Sequence, residues 1–140
     1  MLHGFISLWV VILISVSAIA CAPITSQSIG VGHAVATDIR VSEPYQAVFK
    51  RVANQLRQCQ FYTPMGAQHT VVGEKHNHLR QANIRLIRLY GPTSQDVSML
   101  IKVEAISDTE SSVGIHATFP YRKSARAARA WASGESLDCV

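Results

Sequence analysis

The 140-residue chain lacks most of the patterns by which a sequence announces its chemistry. It has no glycine-rich phosphate loop, no sharp elbow around a serine, and no pair of carboxylates set in an apolar stretch. Nucleotide cradling, triad hydrolysis and paired-carboxylate catalysis therefore have no residues to rest on, and neither a catalytic role nor a cofactor is expected. The short Cys/His spacings of structural zinc sites are missing as well, and no internal repeat is evident. Cysteine is scarce, with 3 in the chain. Charge is scarce at the beginning: residues 1–4 hold no Lys or Arg, and residues 5–20 hold no charged side chain at all. The resulting apolar run is about 16 residues, short of the roughly 20 that cross a hydrocarbon core. This disfavours a permanent span.

What stands there instead is an apolar leader finishing on small side chains, the pattern of a signal peptide over residues 1–20. Ala18 and Ala20 satisfy the small-residue rule for ordinary secretory cleavage, which predicts a secreted or soluble periplasmic protein. Ala18, Ile19, Ala20 and Cys21 also resemble the lipobox of bacterial lipoproteins. That resemblance implies acyl chains such as palmitate on Cys21, and several chains at about 0.8 kcal/mol per buried methylene make a durable anchor. Ala22 after the cysteine implies, by the same resemblance, sorting to the outer membrane, with the protein facing the periplasm. An uncleaved anchor is the third route. Residues 21–34, small and polar with Gly30 and Gly32, read as the lipidated cysteine and a flexible tether.

Residues 35–140 are the size of a single domain. All 13 Lys and Arg and all 9 Asp and Glu lie after Cys21, giving a net charge of +4, too mild to imply nucleic acid. With Cys21 used for lipid, Cys59 and Cys139 remain as an even pair in an oxidising compartment, and a disulfide between them is predicted. The alternative is two buried free thiols.

Periodicity predicts the elements. Val35, Thr37, Ile39 and Val41 alternate with polar neighbours as in a strand. Tyr45, Val48, Phe49, Val52, Ala53, Leu56 and Cys59 recur at helical spacing after Pro44, with Ser42 or Glu43 as the cap; Lys50, Arg51, Asn54 and Arg57 fall on the opposite, solvated face. Four strands follow at about 70–72, 82–90, 97–106 and 113–119. In the third of these, Val97, Met99, Ile101, Val103 and Ala105 form one face. A last helix over 123–133 has Ser124 as its cap, Gly134 just past its end, and a narrow face of Ala125, Ala128, Trp131 and Ala132. The fold predicted is α+β: an antiparallel four- to five-stranded sheet with two helices packed on one face, in the order β-α-β-β-β-β-α.

A lipobox, a first helix ending in Cys59, an antiparallel meander and a closing helix that runs through Ala130, Trp131, Ala132, Ser133 and Gly134 to Cys139 together resemble the small Gram-negative envelope lipoproteins. The resemblance covers most of the chain and implies a lipid-anchored protein with a binding or structural role. A looser likeness to helix-grip domains implies a small-ligand or lipid carrier with a cavity between sheet and helix.

Two constellations could carry binding. Arg122, Lys123, Arg126 and Arg129 make a basic ridge suited to an anionic envelope polymer, with an envelope protein as the other partner class. Arg80, Arg85 and Arg88 form a second basic set. His69, His76 and His78 are close in sequence and are weak metal-ligand candidates, with His33, Glu74 or His116 as the third or fourth donor.

Overall fold

Apolar–polar alternation drives five strands into one antiparallel sheet: β1 (Ala34–Val41), β2 (Gln68–His76), β3 (Gln81–Tyr90), β4 (Ser94–Ala105) and β5 (Ser111–Thr118). Two helices, α1 (Tyr45–Gln58) and α2 (Arg122–Ala132), complete the chain. The computed structural model describes residues 34–59, 68–92 and 94–139. Residues 1–33, which hold the expected signal peptide, Cys21 and most of the expected tether, lie outside the described residues, and Ala34, read as the last tether residue, belongs to β1.

The strand order is β1-β5-β4-β3-β2. Each of β2 to β4 pairs with the strand next in sequence, β5 also pairs with β1, and α1 carries the chain from β1 at one edge to β2 at the other. Both helices cover the same face, α1 over β2, β3 and β4, and α2 over β1 and β5. This is the α+β architecture that the periodicity predicts.

The buried face is one cluster. Val48, Val52 and Leu56 of α1 and Ala128 and Trp131 of α2 join Ile84, Leu86, Met99, Ile101, Val103, Val113 and Ile115 of the sheet. Each fully buried Leu or Ile contributes about 1.5–3 kcal/mol relative to exposure. On α2, Ala125, Ala127, Ala128 and Ala132 keep the helix surface thin, which lets its backbone approach the sheet.

Three boundaries differ from the periodicity for identifiable reasons. β2 is longer than the strand expected at about 70–72 and runs through Gly73, which the Phe49 ring of α1 covers: a Cβ on Gly73 would stand 3.0 Å from Phe49 Cζ. In β4 the register shifts, Leu86 pairing with Met99 but Ile87 with Val97. Ser98 is the extra residue, and Val97 moves to the open face, away from Met99. Finally, neither predicted cap acts as one. Pro44 is the N-cap of α1 and accepts the Ala47 and Val48 amides, while Tyr121 caps α2, leaving Ser124 buried in its first turn.

The end of α2 does follow its expected chemistry. Gly134 takes φ +84° just past the C-cap Ser133, Glu135 N donates to Ala130 O and Gly134 N to Trp131 O. That pair of bonds is a Schellman motif, in which glycine is free of the Cβ penalty of left-handed backbone.

Candidate functional site

Charge pairing separates the two faces of the domain. Every charged residue of the chain lies among the described residues. Six cations have carboxylate partners: Arg40 with Glu110, Arg51 with Glu43, Arg80 with Asp108, Arg85 with Glu74, Arg88 with Asp96, and Lys102 with Glu104. The predicted second basic set, Arg80, Arg85 and Arg88, is therefore neutralised in place. The other seven, Lys50, Arg57, Lys75, Arg122, Lys123, Arg126 and Arg129, have no carboxylate within ion-pair distance.

Six of the seven lie on the two helices, and the seventh, Lys75, lies on the sheet face that the helices cover. Lys50 and Arg57 are on the outer side of α1, and the four basic residues of the predicted ridge are exposed along α2. Lys75 stands opposite Ala82 on the helix-covered face of β2. Against them are three carboxylates without an ion-pair partner: Asp38 on the open face, and Glu135 and Asp138 in the tail. This imbalance is the whole of the net +4.

The position of Arg122 and Lys123 is unfavourable for the helix itself. They occupy the first turn of α2, which has no acidic residue. The helix dipole favours carboxylates there, so each cation costs about 0.3–1 kcal/mol at low salt. The Arg122 guanidinium stands 5.1 Å from the Phe119 ring, in the 3-10 turn Phe119–Tyr121 that leads into α2. Exposed Phe119 and unpaired Arg122 thus share one surface.

The ridge is held from behind. Arg51 reaches from α1 to the end of α2, Nε donating to Trp131 O at 2.7 Å and Nη2 to Ala132 O at 2.8 Å, while also gripping Glu43. Read from sequence as part of a solvated face, Arg51 is half-buried and bridges three segments. Hydrogen bonding to Arg51, aided by its charge, holds the Glu43 carboxyl below the usual carboxylate range. Beyond α2, Trp131 Nε1 donates to Leu137 O at 2.9 Å, turning the tail back along α1. There Cys59 and Cys139 stand in disulfide geometry, Sγ–Sγ 2.01 Å and Cα–Cα 5.3 Å.

The histidines do not gather. His69 and His76 lie at opposite ends of β2 and on opposite faces, since His69 pairs with Arg88 and His76 with Gln81. His76 and His78 are neighbours, their ring centroids 6.4 Å apart, and His116 is on the open face of β5. Glu74 is engaged by Arg85. His33 lies outside the described residues. Among the described residues no three His, Cys, Asp or Glu side chains converge as a metal site.

His69 instead belongs to a polar group that sequence reading missed. Its Nε2 meets the Tyr121 hydroxyl at 2.7 Å, and the Arg88 guanidinium lies 4.3 Å from the Tyr90 ring and 5.8 Å from that of Tyr121. Asp96 accepts from Arg88 Nη2 at 2.9 Å, from the Tyr90 hydroxyl at 3.3 Å and from Ser98 Oγ at 3.4 Å. His69 and Tyr121 are distant in sequence from Arg88, Tyr90 and Asp96; β2–β3 pairing sets His69 opposite Arg88, and β3–β4 pairing sets Arg88 opposite Asp96. Arg88 beside Asp96, with Tyr90 at the next position on its face, was the available signal.

Space between sheet and helices is filled by Leu56, Trp131, Ile84, Leu86 and Met99, each under 2 % exposed. A shallow depression lined by Gln68, Leu89, Gly91 and Pro92 lies outside that interface, at the β3–β4 turn. Among the described residues no helix is long and apolar enough to cross a membrane. No family model, no curated protein and no solved structure matches this chain.

Proposed function

We propose that this is a lipid-anchored envelope protein, attached through Cys21 to the outer membrane and facing the periplasm, that acts by binding rather than catalysis. Its partner is an anionic component of the envelope, engaged by the helix layer. The observation that carries this reading is the segregation of charge: six cations are paired, and of the seven that are not, six lie on the two helices and Lys75 on the sheet face they cover. Solubility alone needs no such sorting. An unpaired cluster raises the local concentration of anions and steers their approach.

The leader ending on Cys21 supports the location. Two measurements test the reading. Wild-type protein is expected in the membrane fraction with palmitate on Cys21, and Cys21→Ala is expected to move to the soluble fraction. Polyanion binding by that soluble form is expected to weaken with salt and with Arg126→Gln and Arg129→Gln. Retention of Cys21→Ala in membranes would remove the anchoring step, and salt-independent binding would remove the electrostatic one.

A carrier role is the second reading; among the described residues the sheet–helix space holds Leu56, Trp131, Ile84, Leu86 and Met99, so a ligand there would need α1 or α2 to lift.

A further inference from the structure

We propose that the end of the domain where the chain enters β1 is a contact surface for an anionic phospholipid bilayer, with Phe119 and Tyr90 in the interfacial layer and Arg122 and Lys123 on the head groups. The topology collects these groups at one end. Ala34, the first residue of β1, pairs with Thr118, the last of β5, and Phe119 comes next. Tyr90 closes β3 against Ser94 at the start of β4, and the β4 segment that follows lies beside the end of β5, Met99 opposite Ala117. The first turn of α2, with Arg122 and Lys123, begins directly after the 3-10 turn.

The chemistry of this end suits a lipid–water boundary. Phe119 is 59 % exposed and Tyr90 40 %, large values for aromatic side chains. Arg122 stacks near the Phe119 ring, so apolar surface and an unpaired cation are presented together, while Arg88, held by Asp96, lies against the Tyr90 ring. Aromatic rings with a polar rim settle at the head-group level of a bilayer, and nearby basic residues add attraction to anionic lipids.

The opposite end supplies the control. It also exposes apolar side chains, Leu79 at 57 % and Ile106 at 45 %. Two of its cations are engaged, Arg80 by Asp108 and Arg40 by Glu110, and the unpaired Lys75 near the end of β2 has no exposed Phe, Tyr or Trp beside it among the described residues. Among the described residues, only the end that carries β1's first residue joins exposed aromatic surface to unpaired positive charge. The first turn of α2 keeps those charges where the helix dipole disfavours them, which points to a selected role outside the helix. Any lipid on Cys21 also leads into the domain through Ala34, at this end. The orientation rests on the anchored reading above; the lipid contact itself does not.

The experiment uses wild-type protein reconstituted into vesicles carrying a photoactivatable phospholipid, with adducts mapped by mass spectrometry. In phosphatidylglycerol vesicles, adducts are expected on peptides spanning residues 88–92 and 119–123, with few on 77–80 or 105–110. Arg122→Gln and Lys123→Gln are each expected to lower labelling of residue 119 about fivefold, and pure phosphatidylcholine to lower it further. Phe119→Ser is expected to reduce labelling of the 88–92 peptide as well, its exposed ring leaving the fold intact. Equal labelling of the two ends, insensitivity to lipid charge, or adducts confined to residues 1–33 would overturn the proposal. Adducts on residues 1–33 report the anchor separately, so either reading can fail alone.

Discussion

Arg51 holds Glu43 by two parallel bonds, Nη1 to Oε2 at 2.8 Å and Nη2 to Oε1 at 2.9 Å, across the first two turns of α1. The same guanidinium also donates to the carbonyl of Trp131, which accepts from Gly134 N as well, and to that of Ala132 at the helix end. A cation at a helix C-terminus also complements the dipole. One side chain therefore ties the β1–α1 connection, α1 and the end of α2. Arg51→Ala is expected to lower unfolding free energy by about 2 kcal/mol in urea denaturation at neutral pH. Arg51→Lys should recover less than half of that, because an ammonium cannot bond two carboxylate oxygens and two carbonyls in one plane.

The same pair sets part of the response to acid. Arg51 keeps the folded Glu43 carboxyl below its ordinary range, so the unfolded chain takes up that proton first as pH falls. The contribution is complete above the unfolded pKa and is lost as pH drops through the folded one. Glu43 is partly exposed, with 37 % of its side-chain surface accessible, and solvent screening keeps the effect small. Stability is expected to be flat from neutral pH down to the carboxylate range and then to fall; in Glu43→Gln the fall should be shallower. Identical acid limbs for the two proteins, followed by urea midpoint against pH, would remove Glu43 from the account.

Much of this fold was legible because it rests on periodicity. The stripe Val48, Val52, Leu56 and the alternation Met99, Ile101, Val103 are each set by one element's own geometry. What was not legible depends on a second element. The expected strand at about 70–72 does not show that β2 continues through Gly73 under the Phe49 ring. Val97 reads as core until the register shift at Ser98 turns it outward. Arg51 reads as solvated until α2 arrives beside it. The basic ridge was visible at three- and four-residue spacing in α2, but its distinctness was not, since that depends on which cations find partners. Arg80, Arg85 and Arg88 look equally basic in the chain and are neutralised only through Asp108, Glu74 and Asp96.

The tail is fastened at two places. Trp131 Nε1 bonds Leu137 O, and Cys139, two residues on, meets Cys59 across 80 positions of sequence. A cross-link closing so long a loop removes about 4 kcal/mol of unfolded-state freedom in the chain-entropy model, before any compensation in the native state. Cys139→Ser is expected to lower stability by about 2–4 kcal/mol, and a reducing agent should do the same to wild type but not to the variant. Wild-type stability unchanged by reduction, in matched denaturation curves, would rule the cross-link out as a stabiliser.

Gly73 is set by the neighbour rather than by its own backbone. A methyl group there meets the Phe49 ring at 3.0 Å and Arg57 Nη2 at 3.4 Å. Phe49 is half-buried and can swing part of the way out, so Gly73→Ala should cost about 1 kcal/mol, the lower end of the range for overpacking. Phe49→Leu costs stability by itself, but adding Gly73→Ala to it should then be nearly neutral. A double-mutant cycle in urea gives the coupling; additive effects would mean that the two residues do not meet.

The strongest test of a role for Arg122 and Lys123 sets stability against binding. If they served only the fold, replacing them with carboxylates should do no good, since structural residues are retained for what they hold. Their place in the first turn of α2 predicts the opposite. Arg122→Glu with Lys123→Glu puts negative charge where free N–H groups and the dipole favour it, and should raise stability by about 0.5–2 kcal/mol at low salt. Phe119 loses only its stacked cation, a surface contact of about 0.5–1 kcal/mol that offsets part of the gain. Anionic-vesicle binding should fall in the same protein. A rise in melting temperature with a loss of lipid contact separates function from folding in one variant, because a residue kept for stability cannot give both. A lower melting temperature would place Arg122 and Lys123 among the supports of the fold and remove the reason for assigning them to a partner.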